Sequence, residues 1–189
     1  MIKTLMSLLV GLFAVGAPSA LSSEKSEIAA IQFFETLRTL CGRRFSGRII
    51  ADNPPPAAND PFTGKALEMY VRDCGDNEIR IPFSVGEDRS RTWVISRLPS
   101  GLRLKHDHRH EDGTPDTITM YGGDTMTGGS KTRQSFPADA ESIALFRSNN
   151  MPASLTNVWS LELVADQYFV YELARPGGRL FRVRFDLAQ

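Results

Sequence analysis

The chain has 189 residues, 41% of them hydrophobic and 23% charged, with 22 basic side chains balancing 22 acidic ones. That length suffices for one domain with a real core, and the neutral balance argues against nucleic acid or an anionic membrane surface as a partner. Only three histidines and two cysteines are present, and the position of each set is informative.

Residues 1–22 read as a secretory signal peptide. Lys3 gives the positive start, residues 5–15 an apolar stretch too short to span a bilayer, and Ala17-Pro18-Ser19-Ala20-Leu21-Ser22 a small-residue cleavage zone. Cleavage is expected after Ser22, with Ala20 as the alternative. The zone has no cysteine to carry a lipid, so no stable membrane anchor is expected afterwards. Residues 23–189 then form a single domain, periplasmic or secreted. In an oxidising compartment Cys41 and Cys74, the only pair, are expected to form a disulfide. Closing a loop of about 33 residues contributes on the order of 3–4 kcal/mol in the chain-entropy account.

Residues 27–40 carry a helical pattern, with Ile28, Ile31, Phe34, Leu37 and Cys41 on one face, Ser26 as N-cap and Gly42 as the stop. A short strand over 47–51 leads into the proline-rich stretch 52–64. Its prolines lack the N–H groups regular structure needs, so it is expected to be a surface loop, a candidate lid over one end of the domain. From residue 65 strands and turns alternate. Residues 66–74 put Leu67, Met69 and Val71 on one face, and 78–85 put Ile79, Ile81, Phe83 and Val85 on one face. Residues 91–98 face Trp93 and Ile95 one way.

All three histidines lie in the next segment, 101–110, at every second position. In a strand alternate side chains share a face. Leu102 and Leu104 therefore lead onto His106, His108 and His110, while Arg103, Lys105, Asp107, Arg109 and Glu111 occupy the other side. Same-face histidines two residues apart have β-carbons roughly 6–7 Å apart, from the ~3.3 Å rise per residue. Such imidazoles can converge on one divalent ion, zinc or copper, with Glu111 completing the set. His106-Asp107-His108 followed by Glu111 resembles the first metal motif of cupins. The spacing to Glu111 is one residue shorter, and the later histidine of the second motif is absent.

A strand over 117–121, a glycine-rich turn at Gly122-Gly123-Asp124-Thr125 and Gly128-Gly129, a strand over 130–136 and a helix over 137–146 with Asp139 near its start follow. Three strands close the chain, over 157–164, 168–173 and 180–187, the last two joined by a turn at Arg175-Pro176-Gly177-Gly178.

Nine or ten short strands with one wet face make the domain mainly β, an antiparallel meander closing into a barrel, with an N-terminal helix and one short late helix; a β-sandwich is the alternative. The strand layout with its leading helix resembles lipocalin-like barrels. The Gly-x-Trp that lipocalins carry on the first strand is replaced by Gly47-Arg48-Ile49.

No Gly-x-Ser-x-Gly elbow, His-Glu-x-x-His helix or Walker loop occurs. Three readings follow. The first is a non-enzymatic exported barrel that binds a small molecule in or at its mouth, lined by Trp93, Met69, Phe83 and Tyr121 with Phe185 inward. Arg89, Arg91, Arg103, Arg109, Arg182 and Arg184 are candidates to rim that mouth and attract an anion. The second is a metal-binding protein or metal-dependent enzyme using His106, His108, His110 and Glu111. The third is an envelope protein working through contacts with other proteins.

Overall fold

The computed structural model describes residues 18–126 and 129–188, with side chains from residue 24. The apolar stretch of the leader lies outside the described residues. Helix α1 runs Pro18–Arg38. The strands are β1 Arg44–Asn53, β2 Leu67–Tyr70, β3 Asp73–Cys74, β4 Glu78–Val85, β5 Asp88–Leu98, β6 Gly101–His108, β7 Tyr121–Asp124 and β8 Arg133–Pro137. Helix α2, Ala140–Ser148, and a single 3₁₀ turn, Pro152–Ser154, lead to β9 Val158–Val164, β10 Tyr168–Arg175 and β11 Arg179–Asp186.

All strands belong to one antiparallel sheet, in the order β7-β6-β5-β4-β2-β1-β11-β10-β9-β8, with β3 also paired to β4. Neighbours in space are neighbours in sequence, except that β2 pairs with β4 past the short β3 and that β1 pairs with β11. A single sheet curling on itself is a barrel and not a sandwich. The alternation is sharp: in β4, Ile79, Ile81, Phe83 and Val85 are buried and the residues between them half-buried.

The barrel stays unlaced between β7 and β8, and the chain brings the two together by another route. Gly122 O accepts from Asp139 N at 2.9 Å. Ser142 Oγ donates to Gly122 O at 3.0 Å and accepts from Gly122 N at 2.7 Å. Asp139 is also the N-cap of α2, accepting from Ser142 N at 2.8 Å, and it takes the Nζ of Lys105 at 2.6 Å. Burial alone would raise the Asp139 carboxyl, but Lys105 and Ser142 hold it below its ordinary range. Lys105 thus lies on the outer side of β6 yet is buried, because α2 lies over it. Asp107, also on that side, is buried against Arg80 and Arg109. The expected wet face of β6 is therefore wet only at its start.

One end of the barrel is closed by α1, which packs on β6, β8 and β9. Ala30, Phe33, Phe34 and Leu37 form its buried face, with Leu40 of the following turn beside them. Ile28 and Ile31, expected on that face, are 48% and 37% exposed. The stripe is rotated because Phe33 and Phe34 together carry the larger apolar surface into the core. Nor does Ser26 cap the helix, which continues back to Pro18. The disulfide Cys41–Cys74 ties the end of α1 to β3, and Gly42 turns there at φ +81°.

The strand expected over 117–121 starts four residues later. Met120 sits at φ +54°, outside the extended region, and the Thr119 hydroxyl takes the backbone N–H of His108 in place of a ladder bond. The glycines expected in a turn, Gly122 and Gly123, are strand residues of β7. Gly128 lies outside the described residues.

A β-carbon on Gly123 would lie 1.8 Å from Pro137 O, across the seam. Gly123→Ala is expected to destabilise the barrel by about 1–3 kcal/mol or more, since the contact is with backbone. Gly75→Ala, whose β-carbon would meet Glu78 O at 3.5 Å, is expected to be mild. Urea unfolding of both variants checks the contrast.

Candidate functional site

The interior divides into two halves. On the α1 side it is filled by Met69, Ile81, Ile95, Leu104, Phe169 and Phe185, each with no exposed surface. Across the middle runs a tier of rings. Phe83 stacks on Trp93 with centroids 4.7 Å apart, and Trp93 stacks on Tyr171 at 4.6 Å and 9° between planes. Phe83 comes from β4, Trp93 from β5 and Tyr171 from β10, so the stack crosses the barrel from wall to wall.

Beyond this tier, at the end opposite α1, lies a cavity of about 290 Å³. That is the low end of the range for small-molecule sites. Its walls are aromatic for the most part, with Trp159, Tyr121 and Phe146 joining the tier. The proline-rich loop reaches its mouth. Phe62 packs on Phe181 at 4.9 Å between centroids and faces Phe83 at 6.4 Å. Asp60 holds this turn by accepting from the N–H groups of Phe62 and Thr63 at 2.8 and 3.0 Å. The loop is thus a strap across the opening, as a lid would be.

Strand β6 is extended through His108 and not through the expected residue 110, so His106 and His108 inherit the inward side set by Leu102 and Leu104, and His110 does not. His106 is buried and both its nitrogens are engaged. Nδ1 lies 3.2 Å from Tyr121 O, a carbonyl that can only accept, so the ring proton sits on Nδ1. Nε2, 2.9 Å from the Tyr171 hydroxyl, then accepts from it. Tyr121 lies flat on His106, 4.8 Å away, and its hydroxyl is 3.0 Å from His108 Nε2. Burial lowers His106 to about 3, with His108 and Lys105 adding to the fall. It lowers His108 too, helped by Arg91, and raises Tyr121 to about 12.

Of the residues expected around a ligand, Trp93, Phe83 and Tyr121 line the cavity, whereas Met69 and Phe185 lie in the filled half. Of the residues expected around a metal, His106 and His108 face the cavity on either side of Tyr121. His110 and Glu111 lie past the end of β6, exposed, beside an open groove with Glu87 and Arg109. The four are not brought to one point. Among the described residues no three His, Cys, Asp or Glu side chains converge to hold a metal ion.

Of the arginines expected at a rim, only Arg91 lines the cavity. Arg103 pairs with Asp124, Arg109 with Asp107, Arg182 with Glu162 and Arg184 with Asp186. Two others line the cavity, Arg175 and Arg179, from the hairpin between β10 and β11. Sequence reasoning placed Arg175 in a turn and left Tyr171, Trp159 and Phe62 without a role. Alternation along β10, with Phe169, Tyr171 and Leu173 on one side, was the signal for Tyr171.

Compared with known proteins, the chain matches no family model, no curated protein and no solved structure. The fold and this site therefore define a class only: an antiparallel β-barrel, closed at one end by a helix and hollow at the other.

His106 gives the fold a pH dependence. Its folded value, about 3, lies below the ordinary 6.5, so the unfolded chain binds the extra proton between those limits. The stability from keeping it neutral is fully present above about pH 6.5 and is lost as pH falls towards 3, on the order of a few kcal/mol in all. His106→Gln is expected to unfold more easily at pH 7 but to lose less on going to pH 4.5. Denaturant midpoints of both proteins at pH 7, 5.5 and 4.5 measure this, and parallel slopes would contradict it.

Proposed function

We propose that this chain is an exported, non-enzymatic barrel that takes one small, largely apolar molecule into its open half. One observation carries the reading: the aromatic tier stops the core halfway along the barrel and leaves about 290 Å³ of ring-lined space under a phenylalanine strap. A core built only for stability would fill that volume, because an apolar void forfeits dispersion contacts. Export is supported by the leader pattern of residues 1–22 and by the disulfide, a bond kept in oxidising compartments. Among the described residues no helix is long and apolar enough to cross a membrane. Binding is favoured over turnover because the cavity's buried titratable groups sit far from neutrality: His106 at about 3 and Tyr121 at about 12 are poorly matched to proton transfer near pH 7.

The chain's two tryptophans, Trp93 and Trp159, both line the cavity, so intrinsic fluorescence reports on it directly. Titration with 3-phenylpropan-1-ol, a neutral aromatic probe, is expected to give a saturable change with a dissociation constant at or below about 1 mM, a modest affinity for ten heavy atoms. Ser154→Phe, which puts a ring into the space, is expected to abolish it while the far-ultraviolet spectrum stays that of a barrel. Phe62→Ala is expected to speed association and release, read by stopped flow. A fluorescence response that fails to saturate, or that persists unchanged in folded Ser154→Phe, would rule the reading out.

A further inference from the structure

Among the described residues three guanidinium groups line the cavity, those of Arg91, Arg175 and Arg179, and no carboxylate does. Two of the three are neutralised from outside. Arg91 Nη1 pairs with Asp88 at 2.5 Å, and Arg179 pairs with Asp52. Arg175 is different. Among the described residues no carboxylate lies within ion-pair distance of it, and its one side-chain partner is a neutral amide, Asn157 Oδ1, to which Nε donates at 2.5 Å. Asn157 is itself buried, at the start of β9, and its backbone carbonyl accepts from Ala138 N at 2.9 Å. The amide is therefore a fixed post that holds the guanidinium by one edge. Burial, and then the neighbouring Arg179, push the Arg175 guanidinium below its ordinary range, which marks a cation held where water serves it poorly. Arginine offers five donors in a planar fork, so four remain for a ligand. A fork of that kind fits a carboxylate edge-on with two parallel bonds.

We propose that the cavity's ligand is a monocarboxylic acid with an aromatic or similarly compact apolar body, its carboxylate held by Arg175 and its body in the ring-lined space. The inference rests on the ligand-binding reading above and adds the charge. One net positive charge is left over among the cavity's arginines and their partners, which matches one negative charge on the ligand. His106 stays neutral throughout the physiological range, and so gives an anion no second cation deeper in the barrel. The carboxylate end therefore lies towards the mouth, at the β10–β11 hairpin, and the apolar end against the Phe83–Trp93–Tyr171 tier.

The test uses three probes with the same body: 4-phenylbutyrate, 4-phenylbutyramide and 4-phenylbutylamine, titrated into the mature protein at pH 7 and read by tryptophan fluorescence. The acid is expected to bind at least about ten-fold more tightly than the amide, as a charge-assisted hydrogen-bond pair allows, and the amine more weakly than both. Arg175→Gln is expected to lower acid affinity about ten- to hundred-fold and to bring the acid-to-amide ratio down towards one. Arg175→Lys, which keeps the stem and the charge but not the fork, is expected to fall between, and Arg179→Gln to cost less than Arg175→Gln. Equal affinities for acid and amide, or an acid-to-amide ratio unchanged in Arg175→Gln, would overturn the carboxylate assignment while amide binding upholds the cavity. Tighter binding of 4-phenylbutyl phosphate than of the acid would overturn the monocarboxylate. Failure of all these probes would instead overturn the ligand-binding reading itself.

Discussion

The stack of Phe83, Trp93 and Tyr171 is the contact on which the rest of the molecule depends. Rings of this size bury on the order of 150–250 Å² each, and offset stacking adds to the area they remove from water. Because the stack spans opposite walls, it fixes the bore of the barrel as a wedge would. Phe169 and Phe185 meet Trp93 from the closed side, at 6.2 Å between centroids. The same ring is therefore the ceiling of a conventional apolar core and the floor of a cavity. His106 is tied to it through the Tyr171 hydroxyl. A buried imidazole with one nitrogen unpaired would cost free energy, and here both are satisfied by partners that also specify the tautomer. A neutral histidine thus sits between filled and hollow space, where a leucine would extend the core and a charged group would need a counterion.

Closure follows from a different constraint. A meander in which the first and last strands pair must leave its open seam in the middle of the chain, here between β7 and β8. Gly123 lets the backbones meet there, since a β-carbon on it would lie 1.8 Å from Pro137 O, while one on Gly122 would lie 1.8 Å from Leu104 O on the β6 side. The seam is then covered by α2, with the buried Lys105 beneath it, paired to the half-buried Asp139 and to Glu141. A buried ammonium needs such carboxylates to offset its desolvation, so the contact contributes more to placement of the helix than to net stability. Phe146 of α2 and Ser154 of the 3₁₀ turn after it line the cavity. The element that seals the side of the barrel thereby shapes its mouth.

The fold was legible in the sequence wherever one rule acted alone. Period-two alternation in β4 and in β11 placed Phe83 and Phe185 inward with no other information, and residues 101–108 ran extended as Leu102 and Leu104 implied. The disulfide followed from there being only two cysteines. Legibility failed where two rules competed. At 117–125 the glycines suggested a turn, yet they are strand residues because a close backbone approach, not a reversal, requires them. In α1 two helical stripes were available, and Phe33 with Ala30 prevailed over Ile28 and Ile31. The site was half legible for the same reason. Trp93, Phe83 and Tyr121 were visible as inward residues, but a strand pattern gives the side of the wall and not the height along it. Met69 and Phe83 have the same inward parity and stand opposite each other on β2 and β4, yet only Phe83 reaches the cavity.

Height along the wall also explains which arginines matter. Along the middle of the outer strands an arginine finds a carboxylate on the next strand, as Arg103 and Asp124 do in the β6–β7 pair. Cross-strand neighbours of opposite charge are the ordinary fate of such residues. Arg175 sits at the end of β10, directly opposite Arg179, where the ladder supplies another cation in place of a carboxylate. Arg179 resolves the conflict by reaching back to Asp52 on β1. Arg175 turns to Asn157 on the other side and faces the cavity. Two like charges placed opposite each other at a hairpin end are destabilising, and Asp52 offsets only the Arg179 side of this pair. The uncompensated charge and the unfilled volume lie in the same half of the barrel, so a single occupant with an apolar body and an anionic end would relieve both.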